Sequence, residues 1–429
     1  MPSWLAPALE YLASWLEFQR RAYQQPGCVV AVAYRGRVVL DEAFGYADLG
    51  KRTALTPRHR FRVASHSKSF TAAGILKLRD QRKLKLDDSI GRYVDGLHPA
   101  AGRATIEQLL THSAGLARDG RDSGQFQDRR PFLSKEEVLA DLKAPPILRR
   151  GTRFKYSNHG YALLGMAIEA VTGEPYRDWI AREIVAPAGL KETIPDMPLP
   201  RGTPFARGHT GRMLAGKPLV IPGDFDTRAI GPAGGFVSTA ADLVRFFWQL
   251  RNRRDMIRPR WRDPHSSIER YYGLGIISGT LDGWRWYGHS GGLQGYITRT
   301  VVIPRHELAI SILTNSIIGP AHAWVDGAMH ILRTFKVRGG RRWRGRWWNI
   351  WGAIDLVPVR GRVLVASPGF FNPFVDASEI KGGRIVLAGG YVNHGERVRL
   401  GKKEVWLGAG RFLPEAVVAR EIKRRYGSS

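Results

Sequence analysis

Two side chains in the first quarter of the chain could together form a covalent catalyst. Ser65 and Lys68 are three residues apart. A serine hydroxyl is a poor nucleophile at neutral pH unless a neighbouring group takes its proton. On a helix, residues three apart lie on one face, so the lysine amine would reach the serine. The helix N-terminus would also favour developing negative charge. The spacing therefore predicts acyl-enzyme chemistry on Ser65.

The same spacing occurs a second time, at Ser378 and Lys381. The residues after Lys381 are Gly-Gly-Arg-Ile-Val-Leu, a pattern typical of a turn and a strand. In that setting the two side chains would not share a helical face. The residues after Lys68 are Ser-Phe-Thr-Ala-Ala-Gly-Ile-Leu and predict a helix. The context therefore favours Ser65 over Ser378.

A tyrosine motif lies downstream of this serine. Tyr156-Ser157-Asn158 precedes a predicted helix over residues 160–173. A tyrosine beside a lysine can have its pKa lowered, so Tyr156 is a second candidate base. Asn158 can donate to a carbonyl or accept from an amide N–H. Tyr391-Val392-Asn393 repeats the pattern, but no helix is predicted around it and we discount it.

The third motif is His289-Ser290-Gly291-Gly292, between two predicted strands. A lone histidine is usually structural, but this one follows the serine and tyrosine motifs in order. His209 begins a similar triplet in a segment rich in Pro and Gly, without a strand pattern. Residues 288–292 also fit the Gly-x-Ser-x-Gly nucleophile elbow, which needs a helix after its serine. Because a strand is predicted there instead, Ser290 is the weaker candidate nucleophile.

Hydrophobic periodicity predicts the elements that would position these motifs. Strands come first, a long helical stretch follows, and strands return after about residue 270. This order indicates one antiparallel sheet with a helical subdomain inserted between its halves. The predicted strands span residues 28–33, 37–44, 271–278, 284–289, 295–303 and 307–314, and the predicted helices span residues 8–24, 65–82, 134–143, 160–173, 240–251 and 321–334.

The C-terminal segment has a different pattern. Short alternating or β-branched runs separated by Gly pairs predict strands and no obvious helix. We therefore predict two domains, residues 1–340 and a small all-β domain over residues 341–429. Between them, residues 336–348 combine basic side chains with three tryptophans, which we interpret as a linker whose aromatic side chains dock into the second domain.

Taken together, the motifs resemble those of class C β-lactamases and their penicillin-binding-protein-like relatives. The resemblance spans roughly residues 26–335. The stretches that carry it are residues 61–72 (FRVASHSKSFTA), 109–116 (LLTHSAGL), 155–161 (KYSNHGY) and 288–296 (GHSGGLQGY). The resemblance implies an α/β (α+β) β-lactamase/transpeptidase-like fold with the site between the sheet and the helical region.

The same resemblance implies roles for residues of this chain. Ser65 would attack an acyl carbon while Lys68 and Tyr156 share the proton transfer. The backbone N–H groups of Ser65 and Gly292 would form the oxyanion hole, a kind of donor worth about 3 kcal/mol. His289 would be a further catalytic residue. Substrate would be held by the remaining motif residues, Asn158, Ser290 and Gly291.

One departure from the class C pattern bears on the substrate. Those enzymes have Lys-Thr-Gly where this chain has His289-Ser290-Gly291. A fixed cation there helps to bind the carboxylate of a β-lactam, whereas histidine is only partly charged at neutral pH. We therefore predict hydrolysis of an ester, or of an amide or peptide with a D-residue. β-Lactamase or DD-carboxypeptidase activity is the first alternative.

The net charge of +28, from 66 basic and 38 acidic residues, leaves a second alternative open. A non-catalytic protein could use a basic surface to bind an acidic ligand. Nucleic-acid binding is disfavoured, because no recognition motif accompanies the charge. Cys28, the single cysteine, lies in an apolar run and is interpreted as a strand residue. We expect a small-molecule or short-peptide substrate, no metal or cofactor, and no membrane span. Homo-oligomers are compatible with the sequence. The absence of a visible signal peptide predicts a cytoplasmic protein.

Overall fold

The computed structural model describes residues 1–264, 266, 268–386 and 394–427. The chain forms two compact units, one from Gln25–His322 and one from Met1–Gln24 together with Ala323–Ser429. Within the described residues, no helix is both long enough and apolar enough to cross a membrane.

Helices and strands alternate irregularly along the chain. The described residues form the helices α1 (Leu5–Ala22), α2 (Ser67–Asp80), α3 (Pro99–Gly102), α4 (Ile106–Leu110), α5 (Lys135–Asp141), α6 (Asn158–Thr172), α7 (Tyr176–Ile180), α8 (Arg212–Ala215), α9 (Gly231–Gly234), α10 (Ala240–Gln249), α11 (Arg254–Ile257), α12 (Ala321–Arg338) and α13 (Glu415–Tyr426). They form the strands β1 (Gly27–Tyr34), β2 (Arg37–Asp48), β3 (Thr53–Ala54), β4 (Phe61–Arg62), β5 (Gly208–His209), β6 (Val220–Ile221), β7 (Val237–Ser238), β8 (Trp261–Arg262), β9 (Arg270–Tyr272), β10 (Ile277–Leu281), β11 (Trp284–Leu293), β12 (Tyr296–Ile303), β13 (Leu308–Thr314), β14 (Arg346–Asn349), β15 (Gly352–Val359), β16 (Arg362–Ala366), β17 (Ser378–Lys381), β18 (Arg384–Val386), β19 (Val398–Leu400), β20 (Val405–Leu407) and β21 (Gly410–Phe412).

The larger unit is built on a nine-stranded antiparallel sheet in the order β3-β2-β1-β13-β12-β11-β10-β9-β8. The strand β1, third in this order, is rich in valine and buried along almost its whole length. It pairs with β2 on one side and with β13 on the other, where Cys28 lies opposite Thr314. The helices α2 to α11 come between β2 and β8 in the chain. The predicted antiparallel sheet with an inserted helical subdomain is confirmed, and Cys28 is a buried strand residue.

The helix that follows Ser65 is packed from several sides. Most residues of α2 are buried, and Phe70 stacks on Phe236 and Phe246 with ring centroids 4.2 and 3.8 Å apart. Such pairs contribute about 0.5–1.5 kcal/mol beyond the area they bury. The helix α6 is capped by Ser157, whose Oγ accepts from the N–H of Gly160 at 3.0 Å. The tyrosine motif therefore forms the start of α6.

The prediction of one strand over residues 271–278 is wrong, because a turn divides it into β9 and β10. Gly275 lies in this turn with φ +69°, a backbone conformation that favours glycine. A Cβ at this position would lie 2.6 Å from the Cβ of Ala72. Ser69 Oγ also donates to the Gly275 carbonyl at 2.7 Å. The turn therefore contacts α2 directly.

The smaller unit contains the predicted C-terminal sheets, in the orders β14-β15-β16-β17-β18 and β19-β20-β21. The helix α13 is an addition that the sequence did not predict. Within this unit α1 contacts later residues: Tyr11 donates to Asp355 at 3.0 Å, and Trp15 Nε1 donates to the carbonyl of Phe370 at 3.2 Å. Through these contacts α1, near the start of the chain, belongs to the same unit as the C-terminal residues. The domain boundary at residue 340 stays a prediction.

Candidate active site

Ser65 lies in a 3-10 turn, Ala64–His66, directly before α2. Ala64 has φ +48°, a left-handed conformation that costs a non-glycine residue about 1 kcal/mol. Ser67 holds the turn in place: its Oγ donates to the carbonyl of Ala64 at 2.6 Å and accepts from the N–H of Phe236 at 3.0 Å. The half-buried Ser65 side chain is thereby presented at the N-terminal end of α2.

Lys68 is fully buried one helical turn after Ser65. Its Nζ lies 3.0 Å from Ser65 Oγ, 2.8 Å from Asn158 Oδ1 and 2.7 Å from the carbonyl oxygen of Ala233. The last of these residues belongs to α9, and Asn158 is the first residue of α6. Three separate helices therefore fix the position of the amine.

Tyr156 completes the cluster, with its hydroxyl oxygen 2.6 Å from Ser65 Oγ. The Tyr156 ring packs on the buried His112 ring at 4.2 Å between centroids. His112 also accepts from the backbone N–H of Ser157 through Nδ1, at 3.1 Å. The structure thus brings Ser65, Lys68, Tyr156 and Asn158 into one hydrogen-bonded group, although Ser65 and Tyr156 are 91 residues apart in the sequence.

Burial determines the protonation of this cluster. It lowers the pKa of Lys68 well below the usual lysine value, against the opposing effect of the Asp119 carboxylate. Burial also raises the pKa of Tyr156, and the hydrogen bond to Ser65 offsets only part of that rise. The prediction of a lowered tyrosine pKa is wrong, because burial is the largest influence on it. Burial therefore favours the neutral form of both side chains.

His289 lies in the middle of β11, and its Nε2 is 3.0 Å from the hydroxyl of Tyr272. Burial lowers the pKa of His289 well below the usual histidine value, and the nearby His66 lowers it further. His289 is therefore neutral, rather than partly charged as the sequence predicted. The position that is a lysine in class C β-lactamases carries no positive charge in this protein.

Gly291 allows β11 to approach the turn that carries Ser65. A Cβ at Gly291 would lie 2.2 Å from the carbonyl oxygen of Val63 and 3.0 Å from the Cβ of Ala64. Gly292 is exposed to the cavities beside Ser65. Ser290 lies within the same strand, and β12 follows it without an intervening helix. The nucleophile elbow at Ser290 is therefore contradicted by the structure.

Two cavities meet at Ser65. One has a volume of about 300 Å³ and the other about 380 Å³, at the lower end of the range for ligand sites. They share Ser65, Tyr156, Arg118, Gly292 and Ile297. The first cavity is further lined by apolar side chains and by the polar residues Asp119, Ser123, Asn158 and Gln294. The lining of the second includes Phe154, Asp263, Arg270, Tyr271, Tyr272, His289, Ser290 and His322. A substrate that spans both cavities would place its scissile bond over Ser65.

Two charged residues of the site, Arg118 and Asp119, were not predicted from the sequence. Asn158 Nδ2 donates to Asp119 Oδ1 at 2.5 Å, and Arg118 Nε lies 3.0 Å from Asp119 Oδ2. The guanidinium carbon of Arg118 lies 5.9 Å from the centroid of the Tyr156 ring. The one available signal was position, because the pair directly follows the family-like stretch 109–116. Tyr272, the partner of His289, had no signal of its own.

The repeated patterns lie elsewhere in the chain. Ser378 and Lys381 are the two ends of the strand β17, so they do not share a helical face. His209, in β5, hydrogen-bonds with the backbone N–H of Leu49 at 3.1 Å and the carbonyl of Asn315 at 2.9 Å, which is a structural role. Tyr391-Val392-Asn393 lies outside the described residues.

Comparison with known proteins agrees with this geometry. The protein Flp of Staphylococcus aureus strain MW2 is 24% identical over 301 residues, which cover 68% of this chain and 59% of the relative. The D-aminopeptidase of Brucella canis is 29% identical over 312 residues, with coverages of 69% and 57%. The chain thus spans less than two thirds of the length of these curated relatives.

Among solved structures, the octameric penicillin-binding protein homologue from Pyrococcus abyssi has a TM-score of 0.68. The match covers 94% of this chain and 99% of that chain at 22% identity, which shows a common fold. The family model described as Beta-lactamase matches residues 12–323, well over half of the chain. The chain therefore belongs to the Beta-lactamase family.

Proposed function

We propose that this protein is a serine hydrolase that forms an ester between Ser65 and an acyl group and then transfers that group to water. The observation that carries the proposal is the hydrogen-bonded sequence Tyr156–Ser65–Lys68, in which the lysine is buried and its pKa is lowered. A serine next to an unprotonated amine has the base that it needs to become a nucleophile. Membership in the Beta-lactamase family supports the same chemistry.

The contacts of Lys68 indicate the direction of proton transfer. A neutral amine has two N–H donors and one lone pair, and the oxygens of Asn158 and Ala233 accept from the two donors. Ser65 Oγ therefore faces the lone pair, so that the serine O–H donates to the lysine nitrogen. The Tyr156 hydroxyl, which keeps its proton, donates to Ser65 Oγ in turn. Lys68 is the proposed base and Tyr156 a proton donor.

The proposed reaction has two steps, acylation of Ser65 and hydrolysis of the resulting ester. Ser65 Oγ bonds to the acyl carbon while its proton passes to Lys68, and the backbone N–H groups of Ser65 and Gly292 are the proposed donors to the oxyanion. The bond to the leaving group then breaks, and Tyr156 protonates that group while it recovers a proton from Lys68. A water molecule attacks the ester by the reverse route and restores the Ser65 hydroxyl.

The substrate that we propose is an ester, or an amide or short peptide with a D-residue beside the scissile bond. The neutral His289 provides no fixed cation for a β-lactam carboxylate, which argues against β-lactamase as the main activity. The D-aminopeptidase of Brucella canis among the relatives supports a D-amino-acid substrate. The apolar lining of the first cavity suits a hydrophobic side chain next to the reacting carbonyl.

A substrate panel on four proteins tests this proposal. It contains p-nitrophenyl esters, D- and L-amino-acid amides and a chromogenic cephalosporin, and it is run on wild type, Ser65→Ala, Tyr156→Phe and Ser378→Ala. Ser65→Ala should lose hydrolysis, and Tyr156→Phe should lose most of it. The matched control Ser378→Ala should behave as wild type, because it removes the same side chain from the strand β17. Full activity of Ser65→Ala would refute the proposal, and full activity of Tyr156→Phe would refute the assigned proton donor.

A further inference from the structure

The segment Ala117, Arg118 and Asp119 is bonded to the start of α6 at three consecutive points. Ser157 Oγ donates to the carbonyl of Ala117 at 2.6 Å, and the N–H of Asn158 donates to the carbonyl of Arg118 at 2.9 Å. Asn158 Nδ2 then donates to the carboxylate of Asp119 at 2.5 Å. These bonds place a carboxylate, only 11% exposed, beside a residue that contacts Lys68 directly.

The two ends of the Asn158 side chain have different partners, and these partners fix its orientation. Oδ1 accepts from Lys68 Nζ at 2.8 Å, while Nδ2 donates to Asp119. If the amide were rotated by half a turn, its NH₂ group would face the N–H groups of Lys68 and its oxygen would face a carboxylate. Both contacts would then be repulsive. Asp119 therefore determines which end of Asn158 meets the lysine.

Arg118 and Asp119 are also charged side chains whose fields act on the Lys68 amine. Lys68 is further faced by Tyr156, Tyr161, His112 and His289. Burial raises the pKa of both tyrosines and lowers the pKa of both histidines, so these four side chains are neutral. The Asp119 carboxylate raises the pKa of Lys68, and the Arg118 guanidinium lowers it.

We propose that Asp119 is a positioning residue for the chemistry at Ser65, because its carboxylate holds the Asn158 oxygen toward Lys68. Asp119 and Arg118 also act on the lysine amine with opposite charges. This inference rests on the proposed acyl transfer through Ser65. It extends that function to two neighbouring residues: Asp119 increases the proton affinity of Lys68, and Arg118 decreases it. Arg118 lines both cavities and Asp119 lines the first, so a substrate that paired with Arg118 would change the charge near Lys68.

The test measures how fast a fluorophosphonate probe labels Ser65 between pH 5 and 9, since this reaction needs no knowledge of the substrate. Ser65 Oγ bonds to phosphorus, the P–F bond breaks, fluoride leaves, and the serine proton passes to Lys68. The variants are Asp119→Asn, which keeps an acceptor without the charge, Asp119→Leu, which removes both, and Arg118→Gln. Arg118→Lys is the charge-preserving control, and thermal unfolding verifies that each variant is folded.

The two charge-removing variants should shift the pH profile in opposite directions. Asp119→Asn should move the acidic limb to lower pH and speed labelling below the limb roughly three- to tenfold. Arg118→Gln should move it to higher pH and slow labelling there about twofold, less because its side chain is 67% exposed and screened. Arg118→Lys keeps the positive charge, so its acidic limb should stay at the wild-type pH whatever happens to the labelling rate. Asp119→Leu should label at least about tenfold more slowly at every pH, because the Asn158 amide is no longer oriented.

Two outcomes separate a failure of this inference from a failure of the proposed function. If wild type is labelled at Ser65 but Asp119→Asn and Arg118→Gln leave the acidic limb unchanged, or move it in one direction, the role of the pair is overturned and the acyl-transfer function stands. If wild type is not labelled, or Ser65→Ala is labelled equally, the proposed function fails and this inference fails with it.

Discussion

Lys68 shows how a single buried residue acquires a chemical role. In water a lysine is protonated at neutral pH and has no lone pair to offer. Here the amine is fully buried and faces carbonyl oxygens and hydroxyl groups, and burial outweighs the nearby carboxylate in setting its pKa. The ability of Lys68 to act as a base therefore comes mainly from its removal from solvent.

This dependence gives a prediction for Lys68→Arg. A guanidinium stays protonated throughout the accessible pH range, so it cannot take the Ser65 proton. We expect kcat/KM to fall by at least about 10²-fold. In wild type, kcat/KM should rise with pH through the pKa of Lys68, because only the neutral amine is a base, and this acidic limb should disappear from the residual activity of the variant.

The matched control is Lys77→Arg, which makes the same change on the same helix. Lys77 pairs with Glu183 at 2.5 Å, away from the Ser65 cluster, and an arginine can keep that pair. Its activity and its pH profile should match those of wild type. An active Lys68→Arg variant would show that another group removes the proton.

The sequence predicted which residues meet at Ser65 better than it predicted their pKa values. Ser65, Lys68 and Tyr156 were selected from their order and local context, and the structure places them within hydrogen-bonding distance. The pKa of Tyr156 was predicted in the wrong direction, because its sign depends on burial by residues distant in sequence. Asp119 was missed because nothing in its spacing shows that its side chain meets Asn158.

Among the elements, β11 and the 3-10 turn before α2 depend on each other. They approach so closely that Gly291 has no room for a side chain, since a Cβ would lie 2.2 Å from the carbonyl oxygen of Val63. The neighbouring Gly292 has room: its nearest contact would be Ile297 Cδ1 at 3.4 Å. A side chain is therefore excluded by steric overlap at Gly291 but not at Gly292.

A pair of alanine substitutions tests this difference. Gly291→Ala should force β11 away from the turn, lower the free energy of unfolding by about 1–3 kcal/mol and reduce kcat/KM at least about tenfold. Gly292→Ala keeps its backbone N–H and should change the free energy of unfolding by less than about 1 kcal/mol. Denaturant unfolding and ester hydrolysis measure both effects. Equal stability of the two variants would contradict the close approach seen here.

The sequence predicted most elements but not the irregular connections between them. Strand and helix periods identified the central sheet and α2. The turn at Gly275 was missed, because its break in β pairing comes from contact with α2 rather than from a local signal. The helix α13 was missed because half of its twelve residues are charged, and only Val418 is buried.

For the whole molecule, the net charge of +28 raises the question of nucleic acid. The tryptophan-rich segment 336–348, predicted to be a linker, instead enters the strand β14. Several of its basic side chains are paired, with Arg338 bound to Glu379 at 2.6 Å and Arg346 to the buried Asp355 at 2.8 Å. Paired arginines and packed tryptophans offer little to phosphates or unstacked bases.

We therefore expect no saturable binding of a single-stranded oligonucleotide at about 150 mM salt, and weak binding at low salt that falls steeply as salt is added. Fluorescence anisotropy with a labelled oligonucleotide measures this, with a short cationic peptide of unrelated sequence as the control for charge alone. Tight binding at physiological salt would establish a nucleic-acid surface that the structure does not lead us to expect.

The position of β1 between β2 and β13 has a consequence for biosynthesis. The β1–β2 hairpin leaves the ribosome early, yet the other edge of β1 stays unpaired until residues 308–314 have been made. During that interval an apolar strand has one open edge, which is a template for association with other chains. Contacts of such long sequence separation form slowly. Nascent chains that stop before β13 should therefore be prone to aggregation, because the apolar edge of β1 is still open.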